Sequence, residues 1–169
     1  MIRLCSALLI ATAACAADTD IYAGGAAGFE SVWVGGMAKA LVDAPTQGGK
    51  AVQLTVTEVP DQSWKAQTWI TPLAADIAAG DTVKITFTAR CTAPAGASGA
   101  LTAVVGMKAA PYKQIVYQKL DIGSDWKEYS ISGEAKEALA GADARFGFVA
   151  GFQVQTLEIA KIAVVKVGK

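Results

Sequence analysis

The chain has 169 residues, of which 53% are apolar, and its 15 Lys and Arg balance 15 Asp and Glu. That apolar share calls for a packed globule rather than a disordered chain, and the even charge leaves no electrostatic footprint for nucleic acid or an anionic membrane. Histidine is absent, which removes the commonest general base, the usual base of a catalytic triad and the commonest zinc ligand; carboxylate chemistry and a Lys- or Tyr-based site stay open.

Residues 1–17 read as a signal peptide and residues 18–169 as one domain. Arg3 supplies a positive start, and residues 4–14 form an apolar run too short to span a bilayer. Ala14-Cys15-Ala16 fits a small-x-small cleavage site, and cleavage after Ala17 fits as well. The expected destination is secreted or periplasmic; the alternative is a lipid anchor through Cys15, although Thr12-Ala13-Ala14 before it lacks a large aliphatic residue. No later stretch is long enough for a membrane span. Cys5 and Cys15 fall in this leader, so Cys91 is left alone, without an intramolecular disulfide and without a His to activate it.

After a Gly/Ala-rich lead at 23–28, strand signals follow one another: short runs of Val, Ile, Thr and aromatics bounded by Gly, Pro or Asp. They cover residues 53–59, 64–71, 83–90, 101–107, 113–120, 126–131, 145–150 and 156–167. The clearest is 83–90, where Val83, Ile85, Phe87 and Ala89 alternate with Lys84, Thr86, Thr88 and Arg90, the period of a half-buried antiparallel strand. Residues 134–139 carry mixed charges at i,i+3 and i,i+4 spacing and are expected to form a short helical turn. Eight to ten strands at intervals near a dozen residues predict an all-β sandwich or jelly roll.

Several of these segments carry a resemblance. Trp64-Lys65-Ala66-Gln67 is followed by Ala79-Gly80-Asp81-Thr82-Val83 and Ile85-Thr86-Phe87-Thr88-Ala89-Arg90, then by Asp125-Trp126-Lys127-Glu128-Tyr129 and, near the end, Leu157-Glu158-Ile159-Ala160-Lys161-Ile162. This order resembles carbohydrate-binding modules of the CenC-like type, families 4, 9, 16 and 22, over nearly the whole of residues 18–169. The resemblance implies a jelly roll with galactose-binding-domain-like topology, a glycan site on a concave sheet face or at loop tips, and a structural calcium ion near the two chain ends. Glu30 and Glu158 match the positions implied to hold that metal, with Glu158 standing where the family usually has Asp. No glycosidase domain is expected beside the module.

Sugar recognition needs flat aromatic rings for the C–H face of a pyranose and amides or charged groups for its hydroxyls. Lys65, Gln67 and Trp69 share one strand parity, and a family-like pairing sets Arg90 nearby. Gln67, Trp69 and Arg90 are therefore the expected centre of a ligand site, against the alternatives of a core Trp69 and a solvated Arg90. Tyr112, after Pro111 at a loop tip, is the preferred second platform, with Tyr117 able to play the same part; Trp64 is either a loop-tip platform or a core residue. Trp126 and Tyr129 read as structural. Asp121, Asp125 and Glu128 cluster at a turn that favours Asp for backbone reasons. The leading reading is thus a secreted, non-catalytic module that binds a polysaccharide or oligosaccharide, a β-glycan such as xylan or glucan. The alternatives are a cell-envelope structural or interaction domain without sugar binding, and a small glycoside hydrolase or lyase accessory protein.

Overall fold

The structure, a computed structural model, describes residues 17–30 and 32–168; apart from Ala17, the expected export leader lies outside them. These residues form eleven strands: β1 (Thr19–Tyr22), β2 (Trp33–Gly35), β3 (Ala38–Ala44), β4 (Gly49–Val56), β5 (Gln67–Ile70), β6 (Thr82–Ala93), β7 (Gly99–Met107), β8 (Gln114–Ile122), β9 (Lys127–Glu134), β10 (Ala144–Val149) and β11 (Gln155–Lys166). All pair antiparallel, in two sheets. One runs β3-β4-β11-β6-β9 with β1 also on β11; the other runs β2-β5-β10-β7-β8. Each of the eight expected segments contains a strand, although Trp64 and Lys65 of 64–71 stand in a 3-10 turn and β4 ends before 57–59. The three that alternation did not reveal, β1, β2 and β3, are short or carry small and charged residues on half-exposed edges.

Alternation explains how the sheets close on each other. In β6, Val83, Ile85, Phe87 and Ala89 are buried. In β10 the same period buries Phe146 and Phe148, which leaves Arg145, Gly147 and Val149 on the opposite face. The inward rings meet between the layers. Phe148 lies 5.2 Å from Phe146, 5.3 Å from Phe87 of the other sheet and 5.8 Å from Phe29, centroid to centroid. Tyr129 stacks on Phe87 at 5.4 Å and its hydroxyl donates to the Asp121 carbonyl at 3.1 Å, so a buried Tyr keeps a polar partner. Cys91 is buried, and burial pushes its thiol up from the usual range.

The helical content consists of single 3-10 turns at Ala27–Phe29, Pro45–Gln47, Ser63–Lys65 and Gly141–Asp143. Residues 134–139 do not form the expected helical turn: Glu134 ends β9, Lys136 and Glu137 bend, and Leu139 makes an isolated bridge to Ile77. The reason is tertiary. Leu139 donates its N–H to the Ile77 carbonyl at 2.8 Å and accepts from the Ile77 N–H at 2.9 Å. A backbone tied to a neighbouring segment does not also close a helical turn.

Candidate functional site

The outer face of the β2-β5-β10-β7-β8 sheet carries a groove of about 500 Å³. Register explains its shape. One transverse row reads Trp33, Trp69, Gly147, Val104 and Tyr117, one residue from each strand. The next reads Gly35, Gln67, Val149, Thr102 and Lys119, and on the other side Arg145 is paired with Gly106 and Gln114. Large rings therefore stand on the outer strands and small residues line the middle. Trp69 spreads over the centre because Gly147 has no side chain: a Cβ there would come within 2.8 Å of the indole. The side chains of β7, between β10 and β8, are buried on both faces except at its last residue, its outward residues being small and flanked by larger neighbours.

Two connections raise the rim. The turn Ser63–Lys65 lifts Trp64, which is 54% exposed, and Gly151 lets that turn approach, since a Cβ there would sit 2.5 Å from the Ser63 carbonyl. The loop after β7 lifts Tyr112, also 54% exposed, at φ 55. That left-handed backbone costs a non-glycine residue about 1–2 kcal/mol; the turn is held by hydrogen bonds from Tyr112 N–H to the Ala109 carbonyl and from Met107 N–H to the Lys113 carbonyl, each 2.8 Å. The lining comprises Trp64, Gln67, Trp69, Tyr112, Gln114, Tyr117 and Arg145, with Val104 and Val149. It contains aromatic rings, two side-chain amides, one guanidinium and no carboxylate.

Its polar atoms are conspicuously unpaired. Among the described residues, three buried side-chain polar atoms lack a hydrogen-bond partner: Trp69 Nε1, Thr102 Oγ1 and Arg145 Nε. All three belong to this face. Buried polar groups are ordinarily satisfied, and these three unsatisfied atoms all lie under the groove. Arg145 Cζ lies 3.6 Å from the Trp69 ring centroid and 5.4 Å from that of Tyr112. Burial lowers its pKa from the ordinary arginine value, although a guanidinium remains charged at neutral pH.

Four of the expected ligand residues, Gln67, Trp69, Tyr112 and Trp64, thus share one groove, and Tyr117 joins them. Arg90 does not. It sits on β6 of the opposite sheet, where Nη2 and Nε meet Glu158 Oε2 at 2.7 and 2.8 Å and Cζ lies 4.9 Å from the Trp126 ring. Its strand parity is as expected, but residues 71–81 carry the chain from one sheet to the other, so β5 and β6 are not neighbours. The arginine at the groove is Arg145. It is not among the ligand residues expected from the sequence; the alternation with Phe146 and Phe148 is the signal that gives it the outward parity. Trp33, 57% exposed in the Trp69 row, has a weaker signal: a three-residue strand shows no period.

Glu30 and Glu158 do not fit a calcium site. Calcium takes six to eight oxygen ligands, and the described residues hold no group of three or more acidic, Cys or His side chains. Glu158 is engaged by Arg90 and, at 3.2 Å, by Gln53 Nε2 on the outer face. The carbonyls of Phe29, Glu30 and Val32 converge instead on Lys39 Nζ, at 2.6, 2.8 and 2.9 Å. Lys39 pairs with Leu54, in the row next to Glu158 and Gln53 and of opposite parity. An ammonium with three donors for three carbonyls already supplies the positive charge this loop needs. Lys39→Met is therefore expected to destabilise the fold by about 1–2 kcal/mol, the penalty of carbonyls losing their donor at a partly exposed site. The wild-type melting temperature should not move with calcium or chelator; a calcium-dependent rise would restore a metal to this region.

No family model matches the chain, and no curated protein matches it. Solved structures do. A family 4 carbohydrate-binding module superposes with a TM-score of 0.66 at 16% identity, covering 83% of this chain and 96% of that one. The second N-terminal cellulose-binding domain of β-1,4-glucanase C from Cellulomonas fimi gives 0.67 at 11%, covering 90% and 97%. The xylan-binding domain CBM22-1 of Xyn10C from Paenibacillus barcinonensis gives 0.56 at 13%, covering 82% and 86%. Identities this low establish architecture alone: the described residues have the β-sandwich jelly-roll fold of these carbohydrate-binding modules.

Proposed function

We propose that the chain is an exported, non-catalytic carbohydrate-binding module whose groove on the β2-β5-β10-β7-β8 sheet receives a β-glycan. The observation that carries this reading is the groove itself: exposed rings of Trp64, Tyr112 and Tyr117 around a floor of small residues, with the amides of Gln67 and Gln114 between them. Rings spaced across a sheet suit successive sugar units, and amides suit their hydroxyls. The solved structures of the same fold include cellulose- and xylan-binding domains, which agrees with a polysaccharide partner. Glycoside hydrolysis ordinarily uses a pair of carboxylates flanking the bond; no acidic residue lines this groove. Export rests on the leader at 1–17, and among the described residues no helix is long and apolar enough to cross a membrane.

Affinity electrophoresis of residues 18–169 through gels holding soluble glucans, xylans and acid-substituted polymers tests the proposal. Retardation by at least one polymer is expected, relieved by Tyr117→Ala, an exposed ring whose loss should leave the melting temperature nearly unchanged. Free migration through the whole panel would favour the envelope-interaction alternative.

A further inference from the structure

We propose that the groove selects an anionic glycan, one whose sugar carries a carboxylate or sulfate that Arg145 receives while neighbouring rings hold the pyranose. The inference rests on the carbohydrate-binding reading and names its substrate class.

Arg145 is the sole charged residue among those lining the groove. Charges elsewhere on the protein are mostly neutralised in pairs: Lys50 with Asp43, Lys65 with Asp61, Lys108 with Asp143 and, at the groove's edge, Lys113 with Glu137. Arg90, the other described arginine, has Glu158. Among the described residues, no acid and no carbonyl is bonded to Arg145, and its Nε is buried without a partner. Arg145 has two aromatic rings instead, the nearer with its centroid 3.6 Å from Cζ. A guanidinium packed in this way, with Nε buried, leaves its terminal Nη donors for an outside acceptor, and a pair of such donors matches a carboxylate or sulfate in a bidentate manner.

The rest of the face has the same bias. Lys119 lies one row beyond the aromatic row, in register with Thr102. The one acid among the outward strand residues, Asp121, pairs with Ala100 a further row away, three rows from Arg145. A neutral sugar would be served by Gln67 and Gln114 and would leave a partly buried charge uncompensated. An anion compensates it, and the burial that lowers the pKa of Arg145 also strengthens the attraction by lowering the local dielectric.

The test compares matched polymers on the intact domain: glucuronoxylan beside its carboxyl-reduced form, a sulfated galactan beside its desulfated form, and a neutral β-glucan. At least one charged polymer is expected to bind more than tenfold tighter than its neutralised form, and the pair that shows the difference identifies carboxylate or sulfate as the anion. Arg145→Gln should bring the charged polymer down to the level of its neutralised form. Because Arg145 also packs on Trp69, Arg145→Lys serves as a second variant; it keeps the charge and should retain a preference of severalfold. A preference that survives Arg145→Gln would overturn the inference, since it would arise from the general surface charge. So would equal binding of charged and neutralised forms, or binding of the β-glucan with neither charged polymer; both results leave the carbohydrate reading standing. Binding of nothing in the panel removes that reading and this inference together.

Discussion

Trp69→Ala should weaken glycan binding by about 1–3 kcal/mol, the range for withdrawing a large apolar side chain from its contact. The indole is the centre of the groove: it crosses Gly147, stacks on Arg145 and stands in one row with Trp33 and Tyr117. Its removal takes away the platform and releases the arginine it orients. The folding cost should be about 1–2 kcal/mol, below the ~3–5 kcal/mol for a fully buried ring, because Trp69 is only half-buried. Calorimetric titration and thermal melting on the same sample separate the two effects. Arg90→Gln is the companion measurement. It should cost stability by breaking the contact with Glu158 and leave affinity untouched, because the residue belongs to the other sheet. Full-strength binding by a folded Trp69→Ala protein would place the ligand elsewhere, and an affinity loss in Arg90→Gln would move it to the β3-β4-β11-β6-β9 face.

Phe148→Ala should produce a larger loss, about 3–5 kcal/mol of folding free energy. The ring is fully buried and touches aromatic neighbours from three parts of the chain: Phe29 in the first turn, Phe87 in the opposite sheet and Phe146 beside it. Ring pairs of this geometry contribute beyond the area they cover, and the cavity left behind would lie between two sheets that cannot collapse without breaking register. Against a typical total of about 5–15 kcal/mol, such a loss would leave the domain marginal. Urea denaturation measures it directly, and Phe148→Leu, which keeps much of the volume, should recover most of the difference. A loss below about 1 kcal/mol for the alanine variant would mean that this cluster does not tie the sheets together.

The two sites differ in how far they could be read beforehand. The core was legible because period-two alternation is a local property: Val83, Ile85 and Phe87 must share a face whatever the sheet does. The same property placed Gln67 with Trp69. It did not place Arg90, since parity gives a residue's face and not its sheet. Nor did it settle Trp64, whose exposure depends on how close Gly151 lets the turn come.

The sequence alone determined the all-β class, the strands from β4 onward and the rings and amides available for a ligand, because each of these follows from residue type and spacing within one segment. Only the tertiary structure decided which strands are neighbours. The crossing at 71–81 separates Arg90 from Trp69, the pairing of β10 with β5 brings Arg145 onto its ring, and the chain from Phe29 to Val32 delivers three carbonyls to Lys39. Contacts between residues far apart in the chain depend on which strands pair and in what register, and neither is contained in any single stretch of sequence.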